Sequence, residues 1–379
     1  MNLAAFFAAL PGAMSAFPSP GPVRALSSVC LTASLGLLIR SRLLSRSRPL
    51  EYPNRLPRKA LVVAVLSGLL LIPALFSLPG TRNDQITFLD VGQGDSALVE
   101  TADGKTILID GGGTMDKRFD VGKKVVAPFL WNRNIGTIDL LVLSHPHPDH
   151  MNGLTSILRT FRVREIWSSG RDQHLDGYDE FRNAVVRQGT VHRFVRAGDR
   201  MMLGNAKIEV LHPDPDSGSS GKKAYEAENN RSLVLRLMIS GKRFLFPGDI
   251  HQEAENNLAE MSPALQSDIL KIPHHGSKTS SSIRFLAAIH PAAAVISVGA
   301  GNPYRQPSEE VIARLNSAGI TLYRTDRDGA ITVLPRGEHT KVIPWASLAL
   351  TRIHGTDPMA WWQDESKNWG KIWIRRAVT

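Results

Sequence analysis

Six consecutive residues, His145-Pro146-His147-Pro148-Asp149-His150, place four metal-ligating side chains directly after the apolar run Leu140 to Leu143. Imidazole and carboxylate without thiolate suit zinc, manganese or iron. Histidines two apart project to one side of an extended segment, and the two prolines are expected to hold the loop open against coiling into a helix. Asp149 and His150 can then turn toward a second ion. A pair of ions needs further ligands, and the sequence offers Asp249 in Phe246-Pro247-Gly248-Asp249 and the pair His274-His275 in Ile272-Pro273-His274-His275-Gly276-Ser277, each after a strand-like run. A Gly-Asp turn or a histidine pair alone is ordinary. Jointly they carry weight, because residues at the carboxyl ends of different strands can converge on one sheet edge. Two divalent ions held there would activate water and polarise an ester, which is the chemistry of hydrolysis.

The elements that must position these groups are legible from periodicity. Ile86 to Val91, Ala97 to Glu100 and Thr106 to Ile109 read as a hairpin series, and Val121 to Leu130 as a short helix. Further strands are predicted at Leu140 to Leu143, Ile208 to Leu211, Leu233 to Ile239, Arg243 to Phe246, Ile269 to Lys271 and Ala294 to Ile296. Helices are predicted at Gly153 to Thr160, Phe181 to Arg187, Gln252 to Glu260, Ile283 to Ala288 and Glu309 to Ser317. Apolar strands alternating with amphipathic helices imply α/β layers, with helices covering sheets. Pro213 to Lys223 reads as a loop joining two halves.

Composition narrows the class. The chain has 379 residues, 42% hydrophobic and 21% charged, which excludes a disordered or fibrous protein, and one cysteine excludes a disulfide framework or a thiolate-rich zinc site. The net charge of +10 is unevenly spread: residues 1–80 hold eight bases against one acid, leaving 37 bases and 34 acids for the rest. Basicity therefore gives no sign of a nucleic-acid surface on the C-terminal part. Ala60 to Leu78 is uncharged and long enough to span a bilayer, and Ala25 to Ile39 can span if Arg24 and Arg40 snorkel. Residues 1–80 thus read as a membrane segment with spans at about 25–39 and 60–78. The basic loop 40–59 between them is cytoplasmic by the positive-inside rule, which puts everything after Leu78 on the extracytoplasmic side of a bacterial inner membrane.

The His145 to His150 loop resembles the HxHxDH hallmark of the metallo-β-lactamase superfamily. More narrowly, Leu89-Asp90-Val91-Gly92-Gln93-Gly94-Asp95-Ser96, Ile107 to Gly112, the PHHGS segment, Ser297-Val298-Gly299 and Thr325 to Ala330 resemble the C-terminal domain of the ComEC family of DNA-internalisation competence proteins. The resemblance covers about residues 85–334, and the apolar stretches upstream resemble the last part of that family's channel region. It implies a four-layer αββα sandwich preceded by about two transmembrane helices, two divalent ions, zinc or manganese, and a nuclease that degrades the non-transported DNA strand. His145 and His147 would hold the first ion and Asp149 and His150 the second, with Asp249 bridging. One of His274 and His275 completes the second site; His274 is favoured as nearer the strand, the other being a possible proton donor. Asp149, Asp249 and His275 are the residues expected to carry the reaction, Asp110 to orient the loop from behind, and Asp90, Gln93 and Asp95 to line the site.

Two departures from the resemblance stand out. Glu228-Asn229-Asn230-Arg231-Ser232 occupies the place of the superfamily's third-motif histidine, with Asn230 a supporting residue, so the first ion is one nitrogen short and manganese gains ground. Asn302-Pro303-Tyr304-Arg305-Gln306-Pro307 carries Gln306 where the family often has histidine. Partners implied are DNA, single strand or duplex, and the membrane; since two spans, or three at most, cannot enclose a pore, the chain is either a truncated gene product or works with a separately encoded channel portion. A non-catalytic DNA-guiding or assembly subunit and an envelope phosphodiesterase are the competing readings. Residues 335–379, holding Trp345, Trp361, Trp362, Trp369 and Trp373, read as a poorly ordered tail. A topology reporter fused after residue 334 should be active only in its extracytoplasmic form; a cytoplasmic signal would reverse the orientation.

Overall fold

The computed structural model describes residues 83–114, 119–169, 177–213, 228–261, 264–337 and 339–347. The two expected membrane spans, the basic loop between them and the expected tail beyond residue 347 lie outside the described residues, as does the predicted linking loop past Pro213. Among the described residues no helix is long and apolar enough to cross a membrane.

Two sheets carry the fold. The first runs β15-β14-β1-β2-β3-β4-β5-β6, with β1 Gln85–Phe88, β2 Ala97–Glu100, β3 Thr106–Ile109, β4 Thr137–Val142, β5 Arg162–Ser168, β6 Val191–Phe194, β14 Ile331–Arg336 and β15 His339–Pro344. The second runs β13-β12-β11-β10-β9-β8-β7, with β7 Arg200–Leu203, β8 Ala206–His212, β9 Val234–Ile239, β10 Lys242–Phe246, β11 Ile269–Lys271, β12 Ala293–Ile296 and β13 Thr321–Arg324. Side chains alternate across each strand, so Ile107 and Ile109 of β3, Leu140 and Val142 of β4, and Leu235 and Leu237 of β9 meet in a core between the sheets. The other face of the second sheet is covered by three helices, α4 Gln252–Ala259, α5 Ile283–Ile289 and α6 Glu309–Ser317, which bury Leu258, Phe285 and Val311 against Leu245, Leu270 and Ile296. Leu108 and Leu141 face away from the central core, toward the side where α1 Ala127–Asn132, α2 Pro148–Thr160 and α3 Tyr178–Gln188 bury Leu130, Leu154 and Phe181. The result is the expected αββα sandwich.

Both sheets change pairing sense partway across. In the first, β1, β2 and β3 are antiparallel and β3 to β6 parallel; in the second, β7 to β10 are antiparallel and β10 to β13 parallel. The switch strands are β3 and β4 in one sheet and β10 and β11 in the other. The segments after them are those that hold Asp110, His145 to His150, Asp249 and His274-His275.

Three expectations change. The two prolines do not keep the histidine loop open to its end: Pro148 is the first residue of α2, and Asp149 and His150 form its first turn. Proline lacks the N–H that a first turn leaves unused, so it starts helices as readily as it breaks them. The predicted helix at Val121 opens as a π-turn over Gly122–Val126 before α1. Finally, residues 335–337 and 339–347 do not belong to a tail. They complete the first sheet through β14 and β15, and Trp345 packs on Phe129 at 5.7 Å and donates its indole N–H to Thr332 Oγ1.

Glu255 ties the outer layer together. It is fully buried on α4 and accepts the backbone N–H groups of Ser281 and of Ser282, the latter at 2.8 Å, at the start of α5. Arg314 of α6 reaches the same turn through the carbonyls of Ser280 and Ser281. Glu255→Ala leaves two buried donors unsatisfied and should lower stability by about 2–4 kcal/mol, read from the urea midpoint. A change within experimental error would show that the turn finds other partners.

Candidate metal centre

The site begins at Asp110, just after β3. Its backbone is left-handed, φ 57°, and its carboxylate accepts the backbone N–H of Ser144 at Oδ1, 2.8 Å, and the Ser144 hydroxyl at Oδ2, 2.7 Å. The same Oδ2 lies 2.9 Å from His150 Nδ1. A carboxylate holding one imidazole nitrogen fixes the ring and leaves the other for a metal. That other nitrogen, Nε2, is buried, makes no hydrogen bond, and lies 3.2 Å from Asp249 Oδ2.

Asp249 follows β10 through Gly248, whose φ of 60° turns the chain back; a Cβ there would lie 2.6 Å from Ser232. Ser232 Oγ accepts the Asp249 N–H at 3.1 Å. From the other switch strand of the second sheet, Pro273–Gly276 forms a tight turn in which His274 and His275 both adopt left-handed backbone, φ 49° and 53°. This sends the two rings apart. His275, not the favoured His274, reaches the carboxylates: its Nε2 is 3.2 Å from Asp149 Oδ2 and 3.4 Å from Asp249 Oδ2, while its Nδ1 donates to the Ser297 carbonyl at 2.9 Å. Distance to the strand was a poor guide because the turn reverses direction. His274 stacks on His251 at 4.8 Å, and His251 Nε2 accepts from the Asn229 amide at 3.1 Å.

Asp149, His150, Asp249 and His275 thus offer ligand atoms that all lie within 4.8 Å of one another. His145 and His147 stand beside them. Their rings are 4.5 Å apart, and His145 Nε2, buried without a hydrogen bond, lies 4.0 Å from Asp249 Oδ2. The donor set, oxygen and imidazole with buried nitrogens uncommitted, fits divalent zinc or manganese. Of these side chains His145, His150, Asp249 and His275 are almost wholly buried, whereas Asp149 is 28% exposed, so the centre opens to solvent at Asp149.

Electrostatics follow from this packing. Burial pushes the Asp249 carboxyl up, but His275, His150 and His274 outweigh it and hold Asp249 well below the usual carboxylate range. Burial likewise opposes charge on His150 and His275, yet Asp249 heads the neighbouring carboxylates that raise both well above an ordinary histidine. Burial, with His150 nearby, holds His145 far below, and burial lowers His147 and His274 to about 4, so these three rings are neutral at pH 7.

Asp95 and Lys271 form a second tier. Burial raises Asp95, but the buried ammonium of Lys271 in contact with it, and then His275, bring it down to about 2. Lys271 Nζ also lies 3.8 Å from Asp249 Oδ1. The Asp95 N–H donates to the Asp149 carbonyl at 3.1 Å, an approach possible only because residue 94 is glycine: a Cβ there would lie 2.2 Å from that oxygen. Gln93 accepts the Gly299 N–H and donates to Gln306 Oε1 at 2.8 Å. Asp90 does not join the ligands; it accepts the Gly92 N–H, and burial, with Asp326 adding, raises it to about 6. Asn230 is turned away, accepting the His251 N–H and donating to Glu253. Sequence reading overlooked Lys271, Ser232 and His251, for which only adjacency to the recognised motifs gave a signal.

The chain belongs to the metallo-β-lactamase superfamily, which it matches over residues 89–300. It is 30% identical over 270 residues to "ComE operon protein 3" of Bacillus subtilis, covering 68% of this chain and 34% of the relative. It is 34% identical over 247 residues to "Competence protein ComA" of Neisseria gonorrhoeae, covering 65% and 31%, and 28% identical over 249 residues to "Recombination protein 2" of Haemophilus influenzae, covering 66% and 28%. These relatives bear out the resemblance to the ComEC family. The chain spans about a third of their length.

Because His150 and His275 carry protons in the metal-free site, a cation must displace them, so affinity should rise with pH through the neutral range and loading should release protons. Calorimetric titration with manganese in two buffers of different ionisation enthalpy reads this directly; identical heats in both would contradict the assignment of these two rings.

Proposed function

We propose that this chain is a metal-dependent phosphodiesterase that hydrolyses DNA, anchored by its N-terminal segment in a bacterial cell membrane and acting on the extracytoplasmic side during DNA uptake. The observation that carries the hydrolase reading is the convergence of Asp149, His150, Asp249 and His275 at the edge where both sheets change pairing sense. The names of the relatives, among them a competence protein and a recombination protein, support DNA as substrate.

Two divalent cations bound there supply an acidified water and a polarised phosphodiester. The chain's own residues prepare for them. His145, His147 and Asp249 would hold one of them and Asp149, His150, Asp249 and His275 the other; the Nε2 atoms of His145, His150 and His275 lie 4.0, 3.2 and 3.4 Å from Asp249 Oδ2. Asp110 keeps His150 in the tautomer that presents Nε2, and the Ser297 carbonyl does the same for His275. Asp149, the exposed member, marks where a phosphodiester can approach.

A non-catalytic DNA-guiding module is the second reading. It is favoured by Glu228 to Ser232, where Asn229 and Asn230 engage His251 and no imidazole comes from that segment.

The purified chain with manganese should cleave labelled DNA, lose the activity to chelator and regain it on metal addition. His147→Ala and Asp249→Asn should each lower turnover by at least about a hundredfold, since even outer partners of metal ligands act on that scale. Absence of cleavage with metal bound would support the guiding module, and faster turnover of phosphocholine-type headgroups than of DNA an envelope phosphodiesterase.

A further inference from the structure

The segment after β12, residues 299–307, is tied down from within. The Gly299 N–H donates to Gln93 Oε1 at 3.2 Å, Gln93 Nε2 to Gln306 Oε1 at 2.8 Å, and Gln306 Nε2 to the His274 carbonyl at 3.3 Å. Asn302 Nδ2 donates to the carbonyls of Gly299 and Gln306, and its Oδ1 accepts the Gln306 N–H. The loop also sits on the ligand-bearing turn: the Ser308 N–H donates to the Gly276 carbonyl, and a Cβ on Gly276 would lie 2.6 Å from Pro307. Gln306, which replaces an expected imidazole, therefore fastens this loop to the backbone of His274.

The tip of the same loop behaves differently. Tyr304 is 61% exposed and Arg305 is exposed, and neither side chain has a hydrogen bond, ion pair or ring partner among the described residues. Arg305 moreover has φ 56°, the left-handed region that a bulky side chain enters only under strain. The strain is held by the Asn302 and Gln306 bonds, while the guanidinium contributes nothing to them.

We propose that Tyr304 and Arg305 are specificity residues that hold one nucleic-acid strand beside the metal centre, the Tyr304 ring stacking on an unpaired base and the Arg305 guanidinium clasping a neighbouring phosphate. The proposal rests on the phosphodiesterase reading above. An aromatic ring can stack only on a base whose face is uncovered, so the strand is single or frayed at this point. A guanidinium presents parallel N–H groups that match two phosphate oxygens, which suits a loop fastened to the turn that carries His274 and His275.

The test uses the full chain loaded with manganese and two cleavage-resistant phosphorothioate probes, a labelled single-stranded oligonucleotide and its abasic counterpart. Tyr304→Ala should weaken binding of the base-bearing strand about tenfold and leave the abasic strand unaffected. Arg305→Gly removes guanidinium and strain together. It should weaken both probes and reduce the slope of log affinity against log salt by about 0.7, with no fall in thermal midpoint. A merely structural arginine would give the reverse, lower stability with unchanged binding. Unchanged affinities for both variants overturn the proposal while leaving DNA cleavage by the parent chain standing. A loss confined to Arg305→Gly overturns the assignment of a strand in favour of a bare phosphodiester. A parent chain that binds neither probe overturns both this proposal and the reading on which it rests.

Discussion

Neutralising buried carboxylates is the constraint on which the sheet edge depends. Asp95, Asp110 and Asp249 are almost wholly buried and Asp149 largely so. An ionised carboxylate in such a place costs several kcal/mol unless it is paired. Each charged partner here is shared. His150 lies between Asp110 and Asp249, Lys271 between Asp95 and Asp249, and His275 between Asp149 and Asp249. Sharing fixes position, since moving any one group strips two others of a partner. It also bears on the fit to divalent cations: the nitrogens that face Asp249 from His150 and His275 are those a metal would take, so a bound cation would stand in for the charge these rings supply.

Such a cluster needs the segments that follow the strands of each sheet at close quarters, and glycine permits this at two places. Gly94 lets the loop after β1 touch the first turn of α2, bringing Asp95 over Asp149. Gly248 lets the chain after β10 turn against Ser232, which then holds the Asp249 N–H. In the first case the contact is carbonyl against Cα, in the second a left-handed turn. Either way a methyl group would displace a ligand rather than merely crowd a core, so these positions belong to the site as much as the histidines do.

The chemistry was largely legible in the sequence because ligands declare themselves by type. The HPHPDH run, Asp249 and the histidine pair could be assigned to one edge from their places after apolar strands. Which histidine of the pair turns inward could not, since that depends on two consecutive left-handed residues in Pro273–Gly276, a conformation that propensity does not foresee. Two prolines in the histidine loop imply a helix breaker by sequence, whereas Pro148 acts as a helix start. Strands β5, β6, β7, β13, β14 and β15 went unmarked. Most sit toward sheet edges, and β6, β7 and β13 bury no residue fully, leaving little hydrophobic alternation to detect. Lys271 was hidden for the opposite reason: a lysine at a strand end reads as surface until Asp95 and Asp249 are seen on either side of it.

Gln306 illustrates how the same position can be a loss by motif and a gain by geometry. As a replacement for imidazole it removes a titratable group from the site mouth. Yet its amide donates and accepts at once, and it uses both functions to join Gln93 to the His274 carbonyl. The signature loop, the histidine turn and the loop after β12 thereby become one hydrogen-bonded unit. The backbone of the turn that carries His274 and His275 is therefore tied to the loop after β12 as well as to its own strand. That network of amide and backbone bonds fixes where the histidine turn sits beside the signature loop, which side-chain chemistry alone would leave open.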